Sequence, residues 1–136
     1  MRQAEPMTSY VSHTSVDCGD AYALAIFWKR VLGYTELPDE PLRPDEDECL
    51  IVDPETGHQI LFIEVPEPKS VKNRIHFDLR PREGTRDAEL ERLLEIGATQ
   101  VADHRGQYGP GTGWVILADP EGNEFCILRS EAEIDT

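Results

Sequence analysis

Residues 75–80 alternate without a break. Ile75, Phe77 and Leu79 fall on one face of an extended chain, and His76, Asp78 and Arg80 on the other. That is the period of a strand with one buried face. Residues 10–17 behave similarly, with His13, Ser15 and Asp17 opposite Thr14, Val16 and the following Cys18. After each strand the period lengthens to that of a helix. Leu24, Ala25, Phe27, Trp28, Val31 and Leu32 make one helical face behind Asp20, which is placed to cap it, and Gly33 stands where such a helix ends. In the second half Thr85 or Asp87 can cap a helix running to Ile96, closed by Gly97.

Each helix is followed by three further strand signals. In the first half these are residues 34–37, then 49–52 and 58–65 about the Asp53-Pro54-Glu55-Thr56-Gly57 turn, with an acidic, proline-bearing loop at 38–47. In the second they are 98–102, 112–118 and 124–129, the last two joined by Asp119-Pro120-Glu121-Gly122. His13 precedes Gly33 and Asp53 by nearly the same offsets at which His76 precedes Gly97 and Asp119. Matching landmarks at matching offsets describe a duplicated unit of roughly 55 to 60 residues, longer than most solenoid repeats.

The expected fold class is α+β: two tandem βαβββ units forming paired, curved, mixed sheets around a cleft. One domain over residues 9–130 would contain units 9–65 and 74–130, joined by a polar linker at 66–73. An arm at 1–8 and a tail at 131–136 flank it. A sheet that is apolar behind and polar in front, built twice, encloses a cleft when the copies curve together.

Composition narrows the function classes. With 136 residues and 39% hydrophobic content the chain can bury a single core. A formal charge of −14 argues against a nucleic-acid partner, because phosphate contacts need clustered Lys and Arg. There is no apolar run long enough to span a bilayer and no signal-peptide pattern, so the expectation is a soluble cytoplasmic protein with no membrane partner. Three cysteines, Cys18, Cys49 and Cys126, form no disulfide framework and suit a reducing compartment.

The run His13-Thr14-Ser15-Val16-Asp17-Cys18-Gly19-Asp20, with Phe27-Trp28, Leu32-Gly33-Tyr34 and Asp119-Pro120-Glu121-Gly122-Asn123-Glu124-Phe125, resembles the vicinal oxygen chelate superfamily. That group includes glyoxalase I, extradiol dioxygenases, fosfomycin-resistance enzymes and bleomycin-binding proteins. The nearest resemblance is to its glyoxalase-like domain branch, and it extends over nearly the whole chain. It implies the paired βαβββ fold and, in metal-dependent members, an ion held by first-strand histidines and last-strand carboxylates. Carried over, the histidine positions are His13 and His76, while Leu61 and Cys126 stand where the carboxylates would be. True glyoxalase I activity is therefore not expected.

Leu61 offers no ligand, but His13, His76 and Cys126 make a chemically reasonable zinc set with a fourth position open. The resemblance is compatible with zinc, nickel, iron or manganese and equally with no metal at all. Glu124 shares the face of Cys126 about 6.5–7 Å along the strand, and Glu64 should point away from Leu61. The cleft residues expected are His13, His76, Asp78, Leu61 and Glu124, with Arg105 and Tyr108 reaching in from a glycine-rich segment, residues 105–111, that reads either as a lid or as a plain surface loop. Paired histidines are also what a duplication leaves behind after its metal is lost, and a cysteine such as Cys126 is more often a small buried apolar residue than a ligand. Trp114 is core or cleft wall, depending on register.

Three functions follow from the resemblance. One is a small-molecule lyase or isomerase. Another is a metal-free protein that sequesters a cationic drug in a dimer groove, which the negative charge suits. The third is a degenerate interaction module. A homodimer, with or without exchange of units across the polar linker, is compatible with all three.

Overall fold

The structure, a computed structural model, describes residues 5–6 and 8–134; the start of the arm and the end of the tail lie largely outside them. Strand β1 (Thr14–Cys18) leads into helix α1 (Ala21–Leu32), then β2 (Glu48–Val52) and β3 (Gln59–Glu64). The second half repeats the order as β4 (Asp78–Leu79), α2 (Arg86–Glu95), β5 (Thr99–Asp103), β6 (Val115–Ala118) and β7 (Glu124–Ile127), and a short helix α3 (Glu131–Ile134) occupies the expected tail.

Both helix starts obey capping chemistry. Asp20 accepts from the amide of Ala23, and Thr85 rather than Asp87 accepts from that of Ala88. Gly33 takes the left-handed conformation, with φ of 72°, and its amide reaches back to the carbonyl of Lys29.

Two mixed sheets result, ordered β1-β3-β2 and β4-β7-β6-β5. β1 runs parallel to β3, and β4 runs parallel to β7, so each helix is the crossover that parallel pairing requires. The second unit is a complete βαβββ. In the first, the strand expected at 34–37 is reduced to a single bridge from Thr35 to Val52, because the chain turns immediately at Leu37 and Glu40.

The core lies around α1. Its Leu24, Ala25, Phe27 and Trp28 are buried together with Ile51, Ile60 and Phe62 of the first sheet. Trp28 also meets Phe125 at 4.8 Å and Phe77 at 5.7 Å between ring centroids, edge to face, so the same helix serves the second sheet. Aromatic pairs of this kind contribute about 0.5–1.5 kcal/mol beyond the area they bury. Arg92 of α2 closes the other end of α1, donating to the carbonyls of Arg30 and Val31.

β4 is shorter than its alternation suggests. Phe77 and Leu79 pack on the core as expected, whereas Ile75 is 83% exposed, because the ladder to β7 starts only at Asp78. Among the described residues no helix is long and apolar enough to cross a membrane.

Candidate functional site

The second sheet presents its outer face as a groove of about 390 Å³ lined by Lys72, His76, Asp78, Trp114, Ile116, Glu124, Cys126 and Leu128. Register explains the lining. Asp78 pairs with Cys126, and Cys126 with Ile116, so these three stand in a row across β4, β7 and β6. Two residues further along the strands, on the same face, come His76, Glu124, Leu128 and Trp114.

At one end of the groove His76, Asp78 and Cys126 bring a ring nitrogen, a carboxylate oxygen and a thiol sulfur within 4.8 Å of one another. His76 Nε2 lies 3.3 Å from Asp78 Oδ1. Cys126 is buried, and burial, followed by the nearby Asp78 carboxylate, pushes its thiol up to about 11. Without an ion it is a neutral thiol. A bound dication would invert that balance, because coordination deprotonates the sulfur.

Glu124 is pinned from two sides. Its carboxylate is paired with Lys72, while Asn73 accepts from its amide at 2.9 Å and donates to its carbonyl at 3.2 Å.

A larger cavity, about 720 Å³, adjoins the groove at His76 and Glu124. It lies between the two units. Residues of β1, Val65, the linker residues Pro66–Lys69 and the stretch Ile75–Phe77 wall it, and Trp28 and Phe62 also line it. Asp17 and Glu67 are exposed carboxylates in its lining.

The remaining expected residues are distributed as follows. His13 precedes β1, is exposed, and bonds Ser12 at 3.0 Å; the groove lining does not include it. Leu61 is half-buried on β3, on the face opposite Glu64. Glu64 turns to the helix side, as its register implies, and accepts from the amide of Ala21.

Arg105 is held away from the groove by Asp103 and Asp87. Tyr108 does approach it, stacking on Trp114 with centroids 6.1 Å apart and planes 25° apart, and His104 lies 5.0 Å from the same indole. His58, beside the first turn, is a structural clamp between Tyr34 at 2.8 Å and Thr14 at 3.1 Å.

Asp78 was legible as a cleft residue from its period-two relation to His76. Its place beside Cys126 depends on the parallel pairing of β4 with β7, which no local pattern encodes. Trp114 was open between core and cleft wall, and its register makes it groove wall, whereas Ile116 and Leu128 carried no chemical signal.

The glyoxalase-like domain family matches residues 13–128 of the chain. No curated protein sequence matches it significantly. Among solved structures, the fold is similar to a variant of the fosfomycin resistance protein FosX from Listeria monocytogenes, complexed with Mn(II) and 1S,2S-dihydroxypropylphosphonic acid. The identity is 17%, 93% of this chain and 94% of that one are covered, and the TM-score is 0.65. It is also similar to a glyoxalase/bleomycin resistance protein/dioxygenase superfamily member from Sphaerobacter thermophilus (20% identity, 90% and 98% covered, TM-score 0.62). A third likeness is to a possible glyoxalase from Bacillus cereus (14% identity, 89% and 99% covered, TM-score 0.60).

Proposed function

The chain belongs to the glyoxalase-like domain family of the vicinal oxygen chelate superfamily, and from that premise we propose that it binds a small organic molecule in the groove of His76, Asp78 and Cys126 and acts on it as a lyase or isomerase. The observation that carries this is the convergence of those three donors at the end of a groove with an apolar wall.

The donor set fits a divalent ion. One nitrogen, one oxygen and one sulfur ligand with room for exogenous ligands is the composition of a catalytic rather than a closed structural zinc site. Inclusion of a thiolate favours zinc over the manganese of the Listeria relative, since manganese prefers oxygen-rich sites. When bound, the ion would polarise adjacent substrate oxygens. His76 and Asp78 would hold and orient it, Cys126 would supply the anionic sulfur, and Glu124, two positions from Cys126 on the same face, is the carboxylate placed to take a proton.

His13 enters through a second copy. β1 and β4 are both paired on one side only, and Val71 and Ile75 beside β4 are 74% and 83% exposed. A homodimer that joins these edges would cover that apolar surface and bring His13 of one copy toward His76 of the other.

A second reading rests on the 720 Å³ cavity. Its aromatic floor of Trp28 and Phe77, with Asp17 and Glu67 in the lining, would hold an organic cation without any metal.

The deciding experiment is elemental mass spectrometry of tag-free protein exposed to zinc and then dialysed. Near-stoichiometric zinc that is lost in His76→Ala and in Cys126→Ala is expected. Wild-type protein that retains no metal overturns the chelate mechanism and leaves the cation-binding reading. If His13 acts across a dimer, His13→Ala also retains less zinc, and mixing it with His76→Ala restores part of the capacity.

A further inference from the structure

His76 sits where the sheet has stopped holding the chain. The ladder between β4 and β7 ends with the Cys126 amide donating to the Phe77 carbonyl at 2.9 Å, and among the described residues no backbone–backbone hydrogen bond holds residues 73–76. Packing does not hold that stretch either, since Val71 and Ile75 are 74% and 83% exposed. An unladdered, unpacked strand end frays, and a donor carried on it is poorly placed.

We infer that Asn73 is the positioning residue that prevents this, its side-chain amide standing in for the missing ladder and setting His76 against Cys126. The inference rests on the reading of His76 as a donor and adds what places it.

The Asn73 side chain is used as a peptide group would be. Its Oδ1 accepts from the Glu124 amide at 2.9 Å and its Nδ2 donates to the Glu124 carbonyl at 3.2 Å, so it pairs with both backbone groups of one β7 residue. Nδ2 also donates to the Ile75 carbonyl at 2.7 Å. Both amide hydrogens are thereby spent, and the reverse orientation would set the oxygen against two carbonyls. The Ile75 carbonyl belongs to the peptide bond that enters His76. One half-buried side chain therefore fastens the backbone before His76 to β7, two positions from Cys126, while Phe77, edge to face with Trp28 at 5.7 Å, fastens the backbone after it.

The other contacts nearby are too weak to do the same. Lys72 pairs with the Glu124 carboxylate, but its side chain is 64% exposed, and the contact of His76 with Asp78 at 3.3 Å joins groups 44% and 54% exposed. Water screens both pairs. Neither bears on the peptide that enters His76.

The test compares the tag-free full chain with its Asn73→Ala variant in two measurements. Zinc affinity is read by competition with a chelator. In metal-free protein, NMR cross-peaks from the His76 ring to the Cys126 side chain are compared with the backbone cross-peaks that report the pairing of Asp78 with Cys126. The variant should bind zinc about 10- to 100-fold more weakly, the loss usual when a group that orients a ligand is removed. It should also lose the ring cross-peaks and keep those of the ladder, whereas a merely structural role would move both sets or neither. Asn73→Asp serves if the alanine variant folds poorly. It keeps an acceptor for the Glu124 amide but has no donor for Ile75, so the ring cross-peaks must vanish there too; it is judged on them alone, because its added charge would itself attract a cation.

Wild type that takes up no zinc, with ring cross-peaks that depend on Asn73, keeps this inference and sinks the metal reading. Zinc bound equally tightly by wild type and Asn73→Ala does the reverse. Ring cross-peaks that are absent from wild type, retained in either variant, or lost together with those of the ladder each overturn the positioning role.

Discussion

Trp28 on α1 donates its indole N–H to Asp119 Oδ2 at 3.0 Å, across the boundary between the two units. Asp119 is 3% exposed and also accepts from the amides of Glu121 and Asn123 and from the Asn123 side chain. One carboxylate therefore ties the first helix to the turn that launches β7. Asp119→Ala, which orphans several donors together, is expected to cost about 3 kcal/mol, and Trp28→Phe about half of that, because it leaves the other partners in place. Denaturant midpoints of the two variants check the order; equal losses would mean that aromatic packing dominates.

Arg86 is 6% exposed, and its guanidinium donates to the carbonyls of Thr112 at 2.9 Å and Gly113 at 3.0 Å. A cation at a helix N-terminus opposes the helix dipole, so its position implies that holding the loop outweighs the local penalty. Arg86→Leu should lower stability by about 2 kcal/mol through two unpaired carbonyls. It should also speed hydrogen exchange in residues 104–113 more than in β2 and β3. Uniform acceleration across both sheets would show a global effect instead of a loop clamp.

Gly113 has φ of 90°, and a Cβ there would sit 2.0 Å from the His104 carbonyl oxygen. Gly111, with φ of 78°, has nothing within 4 Å. Gly111→Ala should therefore cost about 1 kcal/mol, the strain of a left-handed residue, whereas Gly113→Ala must also displace backbone and should cost roughly 3 kcal/mol or more. Thermal unfolding of the pair separates the two effects, and equal shifts would refute the close approach.

The fold was legible because burial writes itself into period. The strand and helix faces, Asp20 and Gly33 at the ends of α1, and the repeated Asp-Pro turns all follow from local rules. The departures are non-local. Ile75 continues the alternation of Phe77 and Leu79 but lies beyond the point where β7 pairs with β4, so it is exposed. The donor site shows the same division. His76 and Cys126 were readable as candidates, and Asp78 as their neighbour on a face. That Asp78 and Cys126 are direct partners required the parallel register, and Trp114 acquired its place only when Tyr108 and His104 closed on it.

Acid should loosen the loop that carries Tyr108. Arg105 grips Asp103 through its side chain at 2.7 Å and through its own amide at 2.9 Å, and these bonds hold the Asp103 carboxyl down at about 2. A folded value depressed below the ordinary value of about 3.9 means that the stabilisation is complete above roughly pH 4 and is lost as pH falls toward about 2. Asp87 adds in the same direction. Burial alone would raise it, but the bonds from Arg86 and Arg105 outweigh that and leave it lowered. Because Asp103 is about one-third exposed, solvent screens much of the interaction and the effect on global stability is small. The loop is where it should register. Trp114 fluorescence, sensitive to the stacked Tyr108, should change between about pH 4 and pH 2 in wild type, before the global transition followed by far-ultraviolet dichroism. In Asp103→Asn the fluorescence should already have the low-pH value at about pH 5 and stay flat to the unfolding point. If the two proteins share one acid profile, the Asp103–Arg105 pair does not govern the loop.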